Sequence, residues 1–288
     1  MNDSGGSPVQ SASTFTAVDG THLYYRSLRP AKERAVLVLV HGLGEHSGRY
    51  ERLSRTLADA GVAVFAFDLR GHGRSPGKRG HVSAFGDFTS DLESFRQVVR
   101  REVSEASPIF LFGHSLGGLI SIRHLQQYPR VEWAGIILSA PALGIRMQIP
   151  DWKRIAGKII ARLAPSMSLD NGIVITDLSR DPAVVAAYRD DPFVHRRISA
   201  KLFSDMQSEA VAVAERIPSL RAPAFLWLVP GDDRICDSEL SLGAASRLPG
   251  SADVVVKRYD GAFHEALNDS CAEEVSEDIR AWMLERSS

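Results

Sequence analysis

The chain starts polar and then settles into two alternating patterns. Ala35–Val40 (AVLVLV), Val62–Phe67 and Ile109–Phe112 are unbroken apolar runs of strand length, the mark of strands buried on both faces. Gly135–Leu138, Ala224–Val229 and Asp253–Tyr259 continue the series, and His22–Ser27 alternates weakly and reads as an edge strand. Between these runs apolar residues return every three or four positions, as on helices that bury one face. Tyr50, Leu53, Leu57 and Ala60 form the first such stretch, followed by Asp87–Val103, Ser115–Gln127, Ser238–Leu248 and Ala272–Leu284. Strands alternating with helices predict a mostly parallel sheet covered by helices on both faces. From about Leu143 to Arg216 the alternation stops, and a helical, irregular segment carries Pro150, Pro165, Pro182 and Pro192. The expected organisation is a core in two pieces, residues 1–142 (with a loose start over about residues 1–13) and 217–288, around a helical cap inserted at 143–216.

Composition narrows the picture. With 44% hydrophobic and 24% charged residues in 288, the chain can bury a sizeable core, which excludes a disordered chain, a collagen and a coiled coil. Lys and Arg total 34 against 35 Asp and Glu, a net charge of −1, so no global basic field attracts nucleic acid. The start, MNDSGGSPVQSASTFTAVDG, lacks the basic and apolar regions of a signal peptide. The longest apolar stretch, Ala134–Ile145, is shorter than the roughly 20 residues of a membrane span. The expectation is a soluble cytoplasmic protein, free to touch a membrane surface. Cys236 and Cys271 cannot build a disulfide framework, although one bridge between them stays open. Oligomeric state is not legible.

The chemistry concentrates in the loops that follow the strands. Gly113-His114-Ser115-Leu116-Gly117 matches G-x-S-x-G, a short pattern whose weight comes from its context: a buried strand before it and a helix after it. That arrangement is a nucleophile elbow, and the plain alternative is a Gly-rich turn with Ser115 as an ordinary helix cap. A serine hydroxyl is a poor nucleophile at neutral pH and needs a base, itself oriented by an acid. Strand Ala224–Val229 leads into Asp232 and Asp233, with Asp237 further on, and strand Asp253–Tyr259 leads into His264. Of the nine histidines only His264 follows the last strand. His41, His46, His72 and His114 belong to loops near the site, whereas His22, His81, His124 and His195 read as surface or packing residues. His41-Gly42-Leu43-Gly44 stands where an oxyanion-hole loop would, while G-x-x-x-x-G-K-[ST] and the third glycine of a dinucleotide fingerprint are missing. The Asp68–Ser75 turn has no catalytic role in this reading. No metal or cofactor is called for.

These blocks together resemble the monoglyceride lipase group of α/β-hydrolases: HGLGEHSGRY (His41–Tyr50), FDLRGHGRS (Phe67–Ser75), GHSLGG (Gly113–Gly118), GDDRICD (Gly231–Asp237) and HEALND (His264–Asp269). They occur in the family's order, and the first is far more specific than G-x-S-x-G. The resemblance implies an α/β-hydrolase fold with Ser115 as nucleophile, Asp233 as acid and His264 as base. It also implies backbone N–H groups of Leu43 and Leu116 as oxyanion donors, and a cysteine near the site at Cys236. The implied activity is hydrolysis of a lipid ester, foremost a monoacylglycerol. Alternatives are a lysophospholipase, a general carboxylesterase, an aminopeptidase using Asp170, Asp177 or Asp181 to hold the substrate amine, and a hydrolase-fold binding protein without catalysis. The cap aligns with nothing in the family, but Trp152–Ala164 (WKRIAGKIIARLA) has helical amphipathic spacing. Trp152, Ile155, Ala156, Ile159, Ile160 and Leu163 share an apolar face suited to substrate or lipid, or alternatively to packing over the core, with Lys153, Arg154, Lys158 and Arg162 on the remaining arc.

Overall fold

The structure is a computed structural model, and it describes residues 7–146, 159–222 and 224–287. Eight strands form one sheet in the order β1-β2-β4-β3-β5-β6-β9-β10. They are β1 (Val9–Thr16), β2 (His22–Arg29), β3 (Ala35–Val40), β4 (Val62–Phe67), β5 (Ile109–His114), β6 (Gly135–Ser139), β9 (Ala224–Pro230) and β10 (Asp253–Tyr259). From β4 to β10 every neighbouring pair is parallel, and only the β1–β2 and β2–β4 pairs are antiparallel. The chain is thus an α/β protein with a mostly parallel sheet. Helices α1 (Glu51–Asp59), α2 (Phe85–Glu102), α3 (Leu116–Gln127), α6 (Ser238–Ala245) and α7 (Ala272–Glu285) flank it.

The apolar runs explain the centre of this sheet. Every residue of β3, β4, β5, β6 and β9 is buried. Alternate residues feed two separate cores, Val36, Val38 and Val40 on one face and Ala35, Leu37 and Leu39 on the other. A buried Val, Leu or Phe side chain contributes about 1.5–3 kcal/mol. The loops at the carboxyl ends of these strands therefore stand on a rigid base.

The amino-terminal segment corrects an expectation. Instead of a loose start through residue 13, Val9–Thr16 pairs with β2 along its whole length, from Val9 opposite Arg29 to Thr16 opposite His22. β1 is the edge strand, and β2, read from sequence as the edge, is second. No apolar alternation betrays β1 because seven of its eight residues face solvent. Phe15 alone is buried, against Tyr25, Phe67 and Phe95.

Between β6 and β9 the chain leaves the sheet. The described part holds helical residues 159–163, a two-stranded antiparallel sheet of β7 (Ser168–Asp170) and β8 (Arg197–Ser199), and helices α4 (Pro182–Asp190) and α5 (Ala200–Glu215). The small sheet was hidden in the sequence, since three-residue strands have no measurable period. Trp152 and Ile155 lie outside the described residues. The segment is fastened over the carboxyl ends of the large sheet: His195 donates its N–H to the Gly44 carbonyl (2.9 Å), Ser199 to that of Gly80 (2.8 Å), and Glu265 donates to Leu178 (2.9 Å).

Candidate active site

β5 ends at His114, and the chain turns sharply into α3. Ser115, at the turn, has φ 52° and ψ −116°, a strained conformation for a residue with a side chain, and its hydroxyl makes no helix-cap hydrogen bond. The turn is tight enough to exclude side chains on both sides. A Cβ on Gly113 would lie 2.5 Å from the Gly117 carbonyl, and one on Gly117 would strike the Val40 carbonyl. The plain alternative of an N-capping serine is removed by this geometry.

Asp233 and His264 come from the loops after β9 and β10. His264 Nδ1 lies 2.8 Å from Asp233 Oδ2, with both residues buried. A carboxylate only accepts, so the Nδ1 atom carries the proton and leaves Nε2 as the basic atom. Asp233 Oδ1 accepts from the N–H groups of Ile235 (2.8 Å) and Cys236 (2.9 Å). Burial opposes its charge, but His264 and these donors outweigh burial and hold Asp233 below the usual carboxylate range. Asp232 is half-exposed and pairs with Arg234 at 3.2 Å, and Asp237 caps α6. Burial likewise opposes charging of His264. The charge and hydrogen bond of Asp233, with the charges of Glu265 and Glu45 behind it, win and raise the imidazole above its ordinary value of 6.5.

Two backbone N–H groups lie close to the serine in the chain or in the cavity: Leu116 follows Ser115 directly, and Leu43 lines the same cavity as Ser115. Among the described residues no acceptor takes the N–H of Leu43 or of Leu116, and Leu116 is the first residue of α3, where the helix dipole favours negative charge. Leu43 and Ser115 line one cavity of about 190 Å3. Its remaining walls are chiefly apolar: Ile235 from a core loop, and Ile145, Ile173, Val174, Ile198 and Phe203 from the insertion. Cys236 lines it too; burial, and then the Asp233 charge, push its thiol well above the ordinary value, which keeps it protonated. Both cysteines are free. Asp233, Cys236 and His264 hold donor atoms within 4.8 Å of one another. Two of those atoms already share a hydrogen bond and the thiol keeps its proton, so the set suits acid–base chemistry better than metal ligation.

Sequence placed His114 in a loop near the site but left its contact unread, and it missed several other contributors. His114 packs against His264 with ring centroids 4.8 Å apart and the rings tilted by 50°, and burial, then the charge of His264, pushes it down to about 4. His195, read as a surface or packing residue, docks on the core loops. Its Nε2 lies 3.1 Å from the Gly71 carbonyl, and its ring is 4.7 Å from that of His72. Arg146 donates to the Asp233 carbonyl at 2.9 Å, tying the start of the insertion to the acid loop. Beneath the site, Glu45, Arg49 and Glu265 form a buried charge network: Arg49 Nη1 reaches Glu45 at 3.1 Å and Glu265 at 2.5 Å. The only sequence signal for it was an acidic and a basic residue four apart inside the HGLGEHSGRY block.

Comparison with known proteins agrees with this geometry. Residues 31–271 match the family described as serine aminopeptidase, S33. The monoacylglycerol lipase of Mycolicibacterium smegmatis is 33% identical over 281 residues, covering 96% of this chain and 98% of that protein. The monoglyceride lipase of Homo sapiens is 34% identical, covering 97% and 92%. Among solved structures, the monoacylglycerol lipase of Paleococcus ferrophilus superposes with a TM-score of 0.81 at 34% identity, over 96% of this chain and 99% of that one. With its blocks in order, its sheet topology and near full-length similarity, the chain belongs to the monoglyceride lipase family of α/β-hydrolases.

Proposed function

We propose that the chain is a carboxylic ester hydrolase that cleaves monoacylglycerol to fatty acid and glycerol through an acyl-enzyme on Ser115. The observation that carries this reading is the buried Asp233–His264 pair on the loops after β9 and β10, together with a strained, uncapped serine after β5 that opens into an apolar cavity. Ser115 Oγ attacks the ester carbonyl while His264 Nε2 takes its proton, and Asp233 stabilises the imidazolium. The developing oxyanion is met by the N–H groups of Leu43 and Leu116. Collapse expels glycerol, protonated by His264, and a water activated by the same imidazole then releases the acid. The direct test is exposure to a fluorophosphonate followed by peptide mass analysis. One adduct on Ser115 is expected, and an unlabelled protein would instead be a binding module.

The cavity favours an aliphatic acyl chain over an amine or a phosphate. Each carboxylate that could hold a substrate amine already has a partner. Asp177 lies 3.4 Å from Arg234, Asp170 lies 3.2 Å from Arg196, and Asp181 caps α4. Arg234, the cation lining the cavity, is balanced by Asp177 and Asp232, which argues against a phosphate-bearing head group.

A pH dependence follows from the raised His264 value. The neutral imidazole is the working form, so activity is present above its pKa and lost as pH falls through it. Measured on a soluble p-nitrophenyl ester, kcat/KM should fall on acidification with a midpoint above the ordinary imidazole value of 6.5. A flat profile from pH 5 to 8 would contradict His264 as base.

We also place the insertion as a lid that touches lipid. No helix among the described residues is long and apolar enough to cross a membrane, so contact would be peripheral. Ile159 and Leu163, four apart on helical residues 159–163, are 52% and 82% exposed. Substitution Ile159→Asp should weaken vesicle binding and hydrolysis of long-chain monoacylglycerol by about tenfold, the equivalent of roughly 1.4 kcal/mol of lost contact. Hydrolysis of soluble p-nitrophenyl acetate should hold. Equal loss on both substrates with a lowered Tm would make Ile159 a packing residue instead.

A further inference from the structure

The N–H of Leu43 can serve an oxyanion only if the turn carrying it holds still, and that turn has few apolar anchors. Its two peptide units are instead gripped by buried side chains. Glu45 Oε1 accepts the Gly42 N–H at 2.6 Å and the Tyr50 hydroxyl at 2.8 Å. The carboxylate occupies space that only glycine leaves, since a Cβ on Gly42 would lie 2.9 Å from Oε1. On the other side, His41 Nδ1 lies 2.8 Å from the Gly42 carbonyl, while its Nε2 accepts the Leu69 N–H at 2.9 Å. Accepting at Nε2 puts the proton on Nδ1, so His41 is a donor to that carbonyl. The Gly42 carbonyl and the Leu43 N–H share one planar trans peptide and point in opposite directions. Fixing the carbonyl toward His41 therefore turns the Leu43 N–H away from His41, and Leu43 lines the same cavity as Ser115.

We infer that Glu45, with His41, is a positioning residue whose hydrogen bond to Gly42 aims the Leu43 N–H at the oxyanion. The inference deepens the proposed function and rests on it. Glu45 is itself held in place. Its second oxygen accepts from Arg49 at 3.1 Å, and Arg49 grips Glu265 with two bonds of 2.5 and 2.7 Å. Since Glu265 follows His264 directly, one arginine joins the oxyanion turn to the loop that carries the base.

Two substitutions separate position from charge. Glu45→Asp keeps the charge opposite Arg49 but draws the carboxylate back by about 1.5 Å, one carbon–carbon bond, out of reach of Gly42. Glu45→Gln keeps an oxygen in place and discards the charge. Each would be assayed on p-nitrophenyl butyrate with active sites counted by fluorophosphonate titration, so that unfolded protein does not enter the rate. Affinity for an alkyl boronic acid, which forms a tetrahedral anion on the serine, reports on the oxyanion donors. Glu45→Asp should lower kcat per titrated site about 10–100-fold, less than or comparable to loss of one oxyanion donor, with KM within about twofold. Its boronate affinity should weaken by the same factor, and Glu45→Gln should lose less on both measures. A loss in Glu45→Gln equal to or greater than that in Glu45→Asp, or unchanged kcat per titrated site in both, would overturn the inference and leave Glu45 a structural ion-pair member. Wild-type protein that takes no label at Ser115 would overturn the underlying function, and the inference with it.

Discussion

Substitution Ser115→Ala should abolish ester hydrolysis and fluorophosphonate labelling together. Loss of the nucleophile typically lowers kcat by about 10⁴-fold or more, because the base and acid have nothing to act through. The fold should survive, since Ser115 makes no cap bond and a smaller side chain at φ 52° adds no clash. An unchanged Tm with activity at the background rate is the expected pair of results. Labelling that persisted in the variant, on any other serine, would remove Ser115 from the reaction.

The second large effect separates two adjacent acids. Asp233→Asn should lower kcat by about 10⁴-fold. An amide at this position can donate its NH2 to Nδ1, which shifts the imidazole proton to Nε2, the atom that must accept from Ser115. Asp232→Asn removes only a half-exposed partner of Arg234 at 3.2 Å and should change kcat/KM by no more than about twofold. Steady-state kinetics of both variants decide the matter, and a larger loss in Asp232→Asn would exchange the two roles.

Asp232 and Asp233 also mark how far the sequence could be read. Spacing brought both to the loop after β9, but choosing between them needs the direction of one side chain, which family resemblance supplied and the 2.8 Å bond to His264 accounts for. The central strands were legible because burial on both faces leaves an unbroken apolar run, and the elbow because glycines must stand where Gly113 and Gly117 meet backbone. β1 was not legible. An edge strand with seven solvent-facing residues is held by hydrogen bonds to β2, and backbone bonds leave no side-chain pattern. Sheet order, with β4 beside β2 and β3 beside β5, is likewise a matter of long-range pairing. His195 escaped for a related reason: only the insertion's return across the sheet brings it to Gly44 and Gly71. Glu45 and Arg49 were visible as letters of a motif, yet their connection to Glu265 spans 216 positions and no local rule reports it.

Substrate identity is the central claim, and a side-by-side hydrolysis panel tests it most directly. Purified protein would be offered 1-oleoylglycerol, a lysophosphatidylcholine and an aminoacyl p-nitroanilide, with Ser115→Ala as the blank. The apolar cavity and the paired charges at Asp177 and Arg234 lead us to expect release of oleate and glycerol from the first, at a kcat/KM at least about tenfold above the others, a difference of about 1.4 kcal/mol in transition-state binding. Cleavage of the anilide or the lysophospholipid in preference to 1-oleoylglycerol would contradict the assignment.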